Sequence, residues 1–251
     1  MERSFDYVIP IEHRIKGRPS QKSFLQKLDY VREILDDVHQ EMLMESCFGH
    51  LYQMKRIPFS AQLVHQIVLR MIVTKKQNDI WFSIGGKPTR FSLYEFSLIK
   101  GLRASEEPSL ELHIVTNDRL VKKHFKKYKK VITVYNLKEV IKSQSAYGRQ
   151  IWAYEAIPSI GWRYGENLHE ADLLRICRWN SSEIPNSKDI GASLDEPNIV
   201  VHCTLKPTPE EASKAYWMEI HRFEDEVEDP TVDVFVDKEN VANSSIRDDF
   251  P

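Results

Sequence analysis

Between Ser20 and Leu43 apolar residues recur at three- and four-residue steps: Phe24, Leu28, Val31, Leu35, Val38 and Met42. That spacing predicts one long helix, or two short ones, with a single core-facing stripe. Residues 1–19, with Pro10, Gly17 and Pro19, read as irregular, and Cys47-Phe48-Gly49-His50-Leu51 as a turn. Pro58-Phe59-Ser60 opens a second helix, with Ser60 as its cap, Phe59 stapling against Val64, and Leu63, Val64, Ile67, Val68 and Met71 as its buried stripe.

The pattern then switches to period two. Ile80, Phe82 and Ile84 alternate with Trp81 and Ser83, and Thr89 and Phe91 share one face of a return strand. Gly85-Gly86 supplies the positive φ angles of a tight hairpin turn. Ser92 caps the next helix, Glu95 completes a capping box, Leu93, Phe96 and Leu98 give it apolar contacts, and Gly101 ends it in the left-handed region.

Beyond this the elements are shorter. Residues 102–116 read as loop, Asn117 caps a helix to about Lys127, and Asn136 starts another through Ile141. Gln150 to Ile157 predicts a helix stopped at Pro158. Leu173, Leu174 and Ile176 fit a strand or a short helix, and Ile199 to Leu205 predicts a strand. Thr208-Pro209-Glu210-Glu211 is a capped helix start, with Ala212, Ala215, Tyr216 and Ile220 on one face. The expected fold class is therefore mainly α with a small β component (α+β), helices around a short β-hairpin. Repeats and the βαβ alternation of a nucleotide-binding sheet are both missing from the pattern.

Charge changes the picture at one end. The net charge of −2 conceals ten acidic residues from Phe223 onward against Lys238 and Arg247, which is −8 there and +6 for the rest. An acidic, aromatic-poor segment of that kind predicts a disordered tail over 223–251 that solvates a terminus or shields a basic surface. The globular domain is then 20–222. A chain of 251 residues with 41% hydrophobic content supports a core. The sequence lacks a run of about 20 apolar residues that would cross a bilayer, so no membrane association is expected. The N-terminus does not read as a secretory signal, and three scattered cysteines, Cys47, Cys177 and Cys203, do not make a disulfide framework. An intracellular location follows as the expectation.

Candidate chemistry is sparse. Cys47 with His50 is the closest cysteine–histidine spacing, and a small buried residue beside a turn explains Cys47 as well. His169, Cys177, His202 and Cys203 show no zinc-ligand spacing, so neither metal nor cofactor is expected. Lys122, Lys123, Lys126, Lys127, Lys129 and Lys130 crowd into nine residues around Phe125 and Tyr128. This run fits a solvated helix face, a nuclear-targeting signal or a phosphate-contact patch giving weak, non-specific nucleic-acid binding.

Several words resemble a plant family catalogued as domain of unknown function nineteen-eighty-five. They are Cys47-Phe48-Gly49-His50-Leu51, Phe59 through His65, Ile80 through Ser92, Glu95-Phe96, Gly101-Leu102, Ile151 through Pro158, Arg178-Trp179-Asn180-Ser181 and Leu205 through Glu211. The resemblance spans Phe24 to Tyr216. It implies an N-terminal part of a protein encoded by a Mutator-type transposon, a class in which a cysteine peptidase domain for ubiquitin-like modifiers often follows. That peptidase domain is not found in this sequence. The resemblance also implies a missing segment near 143–148. In the related peptidases the nucleophile sits in an Asp-Cys-Gly-like context, which none of the three cysteines here matches. The expectation is a non-catalytic, transposon-derived interaction module with a protein partner, the alternative being a peptidase fragment without its catalytic part. The residues set apart as structural rather than catalytic are Gly85, Gly86, Ser92, Glu95 and Gly101.

Overall fold

Two consecutive glycines fix the centre of the fold. Gly85 and Gly86 adopt φ of 55° and 77°, the positive pair that a type I′ turn needs. They join β1 (Ile80–Ile84) to β2 (Lys87–Phe91) as an antiparallel hairpin, with Phe82 opposite Thr89 and Ile84 opposite Lys87. In this computed structural model the described residues are 5–14, 33, 35–45, 49, 52, 59–102, 147–170, 172–181, 186–220 and 227–245. The loop and helices expected between 103 and 141, the lysine run, and Cys47 with His50 lie outside them.

Neighbouring segments extend the hairpin on both sides. Met71 bridges Phe82, and Tyr7 bridges Ile72. The Ile72 amide donates to the Trp81 carbonyl at 2.9 Å, and that of Val73 donates to the Asp6 carbonyl at 2.8 Å. On the far side the Arg90 amide donates to the Cys203 carbonyl at 2.8 Å. Residues 199–205 nevertheless form no strand, contrary to the pattern. The His202 amide donates to the Ala156 carbonyl, and the Cys203 and Thr204 amides donate to the Glu239 carboxylate. Donors used that way cannot build a ladder.

Both faces of β1 are buried. Phe82 and Ile84 enter a main core with Leu63, Leu98, Ile151, Trp152 and Ile176, while Trp81 enters a second core with Phe5, Ile72, Cys203 and Val232. Alternation along β1 therefore divides two apolar cores rather than core from solvent.

Helices surround the hairpin, giving the mainly α architecture that the pattern predicts. Helix α1 (Asp37–Glu45) buries no residue, and Val38 and Met42 are each 64% exposed. The expected core-facing stripe is thus not met at these two positions. The helix turns Gln40 and Leu43 inward instead, and the Gln40 amide group donates to the Leu35 carbonyl. Helix α2 (Ala61–Val68) starts at Ser60, whose Oγ accepts from the Leu63 amide at 3.2 Å. Helix α3 (Leu93–Lys100) has the capping box of Ser92 and Glu95 and ends at Gly101 with φ 64°. A Cβ at Gly101 would stand 2.5 Å from the Leu174 side chain, so contact and conformation both require glycine there.

Helix α4 covers 147–156 and is the core's centre: Tyr147, Ile151, Trp152, Ala153, Tyr154 and Ala156 are each at most 1% exposed. Pro158 ends it as expected but also begins α5 (Pro158–Tyr164) at its first position, where the missing amide proton costs nothing. After β3 (Glu166–Asn167) comes α6 (Arg175–Arg178), and β4 (Trp179–Asn180) pairs antiparallel with β3. The Leu173–Ile176 segment is accordingly helical at its end. Helix α7 (Ser187–Leu194), capped by Asn186, packs on α2. The capping box at Thr208 opens α8 (Pro209–Ala212), but the helix breaks before α9 (Ala215–Met218), so Ala212 and Ala215 do not share one helical face.

The acidic segment departs most from expectation. Its described residues, 227–245, contain helix α10 (Pro230–Ser245) where a disordered tail is expected. Val232 is fully buried in the second core, and Phe235 lies 6.2 Å from Phe5 between ring centroids. Apolar residues at 232, 235 and 236 make a one-sided stripe. Asp229 begins the helix, accepting from the Thr231 amide, while its own amide donates to Asp233 at 2.6 Å. Among the described residues no helix is long and apolar enough to cross a membrane.

Candidate functional site

Among the described residues the largest charged cluster is built on Arg175, which α6 sends into the core. Its Nε donates to Glu211 Oε1 at 2.9 Å and its Nη2 to Glu211 Oε2 at 2.6 Å, a bidentate pair. Nη1 donates to Glu155 at 3.1 Å and Nη2 to the Lys206 carbonyl at 2.7 Å. Trp179 Nε1 donates to the other Glu155 oxygen at 2.7 Å. Glu211 also accepts from the Thr208 amide, so one carboxylate closes a helix cap and an ion pair together. Burial opposes its charge, yet Arg175 beside it holds the carboxyl below its usual range. Every polar atom named faces another within the fold, so the cluster clamps α4, α6 and α8 together.

Arg90 and Glu95 make a second clamp. Glu95 is fully buried, accepts from the Ser92 amide and hydroxyl, and takes Arg90 Nη2 at 3.1 Å. Ser92 and Glu95 thus form the capping box of α3, Gly85 and Gly86 its preceding hairpin turn, and Gly101 its left-handed end. The lysine run at 122–130 has no described placement.

The thiols sit apart. Cys177 lies in the main core and Cys203 in the second, 2% and 7% exposed. Burial pushes their thiols up to about 11 and about 12, the Glu239 charge adding to the rise at Cys203. A thiol of that kind holds little thiolate at neutral pH. The nearest acid–histidine partnership is Glu239 with His202, Oε1 to Nδ1 3.6 Å. His202 is half exposed while Cys203 is turned into the core. Among the described residues no three His, Cys, Asp or Glu side chains are grouped to hold a metal.

Among the described residues Lys100 and Arg149 show no carboxylate partner. Lys100, at the end of α3, is 3% exposed, with its Nζ 4.8 Å from the centre of the Phe96 ring. Its neighbour in space is α4: a Cβ at Gly148 would come within 2.8 Å of Lys100 Cε. Burial, then the positive charge of Arg149, pushes the Lys100 ammonium down to about 8. Arg149 itself has a buried Nε with no hydrogen-bond partner and lines a small apolar cleft with Val64, Phe91 and Trp152. Sequence reasoning missed this pair, because a lysine at a helix C-terminus reads as a solvated charge that favours the helix dipole.

These features define a mainly helical domain with a doubly buried hairpin, whose described ionisable clusters mostly brace its own elements. Residues 68–151 match the family model described as Domain of unknown function (DUF1985). The match takes in the hairpin, the capped helix α3 and the first half of α4, a narrower span than the Phe24–Tyr216 resemblance carried by the sequence words. No curated protein and no solved structure matches the chain.

Proposed function

We propose that the chain is a non-catalytic interaction module, descended from a transposon-encoded protein and working on a protein partner in or near the nucleus. The observation that carries the non-catalytic reading is the placement of the two described thiols. Cys177 and Cys203 are sealed in separate cores with their pKa values raised, the reverse of an activated nucleophile. Interaction is supported by Trp162 on α5, which is 83% exposed. Tryptophan is enriched among the residues that anchor protein interfaces.

The test is labelling by a ubiquitin-like modifier bearing a thiol-reactive C-terminus. Cys47, Cys177 and Cys203 should react no faster in the folded chain than in a denatured control. Rapid labelling of one cysteine, abolished by its replacement with alanine, would establish an active-site thiol and end this reading.

A further inference from the structure

Helix α10 is held to the body differently from α4. Six side chains of α4 lie sealed in the main core. Among the described side chains of α10 only Val232 is fully buried. Val232, Phe235 and Val236 recur at i, i+3 and i+4 and meet Phe5, Ile72, Trp81 and Cys203; none of the three enters the main core. A helix laid in a groove through anchors at that spacing is a recurrent mode of recognition between proteins. The rim of the groove supplies donors to the acids of the helix. The Lys75 amide donates to Asp229 at 2.7 Å, and Lys76 Nζ, on a side chain only 8% exposed, meets Asp233 at 2.9 Å. The Cys203 and Thr204 amides donate to the two oxygens of Glu239 at 3.2 Å each, with His202 Nδ1 3.6 Å away. From Val227 to Ser245 the helix segment carries five acidic residues against Lys238.

We propose that the groove lined by Phe5, Ile72, Trp81 and Cys203 is a docking site for a partner's acidic amphipathic helix, and that α10 is its tethered occupant, displaced when the partner binds. The pattern the groove selects can be read from α10 itself. An acid at Asp229 precedes Val232-Asp233, then Phe235-Val236, then Glu239, so apolar anchors face the groove and carboxylates face its rim donors. A tethered occupant lowers a rival's apparent affinity by the fraction of time the groove stands empty, so α10 restrains partner binding. This deepens the interaction reading and rests on it, yet it can fail alone, since the exposed Trp162 belongs to α5 and not to the groove.

The experiment adds a fluorescent peptide of residues 227–245 to the full chain carrying Val232→Asp. That change puts a charge beneath the chain's own α10 and so frees the groove. Saturable binding, read by fluorescence anisotropy, is expected, and the unmodified chain should bind the peptide at least about tenfold more weakly. Within the peptide, Val232→Asp should weaken binding by about thirtyfold and Asp233→Asn by about tenfold. Asp237→Asn, at an exposed position, should leave it unchanged. Absence of binding to the variant chain would overturn the proposal and leave the interaction reading to Trp162. Equal binding by the two chains, or undiminished binding of the Val232→Asp peptide, would place the contact outside the groove and overturn it too. Loss of cooperative thermal unfolding in the Val232→Asp chain would make α10 part of the fold rather than its ligand, with the same consequence. Dimerisation of the unmodified chain that the peptide reverses would assign the groove to α10 of a second copy and end the partner reading.

Discussion

Replacing Lys100 by methionine should stabilise the protein, and by an amount that depends on pH. In the folded chain the ammonium is pushed from 10.5 to about 8, first by burial and then by Arg149. At 1.36 kcal/mol per pH decade that drop costs about 3 kcal/mol of stability when the lysine is charged. The sign follows from proton binding. Between pH 8 and 10.5 the unfolded chain holds this proton and the folded chain has released it, so stability rises with pH across that window. Below pH 8 the whole penalty is present. Methionine removes it while keeping the apolar stem, at the loss of a cation–π contact worth about 1 kcal/mol. The net gain at pH 7 is then about 2 kcal/mol, and it should shrink by about 1 kcal/mol at pH 9. Urea unfolding of both proteins at the two pH values, in phosphate-free buffer, measures it. The raised thiols of Cys177 and Cys203 also affect stability above pH 9, but equally in both proteins, so they cancel in the difference. A variant less stable than the parent at pH 7, or a gain identical at both pH values, would refute the reasoning.

The hairpin glycines should respond unequally. Gly85→Ala places a Cβ 2.3 Å from Ile199 Cγ2 and 2.6 Å from the Glu196 carbonyl oxygen at a φ of 55°, so a loss of about 3 kcal/mol is expected. Gly86→Ala meets open space and should cost only about 1 kcal/mol of backbone strain; equal losses in thermal or urea unfolding would contradict the contact geometry. Arg175→Met should cost about 3 kcal/mol by leaving buried Glu211 with only Arg178, 3.3 Å away, as a charged partner. The same change should also flatten the acid limb of the stability profile. The lowered Glu211 carboxyl contributes stability above its unfolded value of 4.5 and loses it as pH falls through its folded value. An acid limb as steep in the variant as in the parent would remove Glu211 as its source.

Local rules read this chain well where one residue type has one use. Gly85-Gly86, the Ser92–Glu95 box, Gly101, Ser60 and the Thr208–Glu211 box are each found where spacing puts them, because turns and caps are satisfied within a few residues. Pairings across the chain are less legible. Arg175 meets Glu155 and Glu211 from 20 and 36 positions away, and nothing in their local context marks them as partners. Alternation in β1 was ambiguous for another reason. Period two gives two faces without saying what covers each, and here Trp81 meets a second core. Composition misleads at the acidic segment. Its average hides Asp229-Pro230 as a helix start and Val232, Phe235 and Val236 as a stripe, which is a sufficient local signal. Lys100 and Arg149 escaped notice because burial of a charge cannot be seen in sequence.

The docked helix α10 also bears on the unpaired cations. A mildly basic body and an acidic end invite the idea that one neutralises the other wherever they meet. The structure fixes where several of those acids go. Asp229 accepts from the Lys75 amide at 2.7 Å, Asp233 takes Lys76 Nζ at 2.9 Å, and Glu239 accepts from the Cys203 and Thr204 amides at 3.2 Å each. All three are held at the second core, by bonds that also define where α10 begins and lies. Burial of Val232 at the same place means that freeing one of these carboxylates would expose the apolar stripe. Lys100 and Phe96 belong instead to α3, at its junction with Arg149 on α4. Asp229, Asp233 and Glu239 are thus committed elsewhere by packing as well as by charge. Among the described residues no carboxylate reaches Lys100, and proton release from the lysine relieves its repulsion with Arg149. Raising the pH through about 8 releases that proton in the folded chain first, so the stability lost to the buried charge returns there.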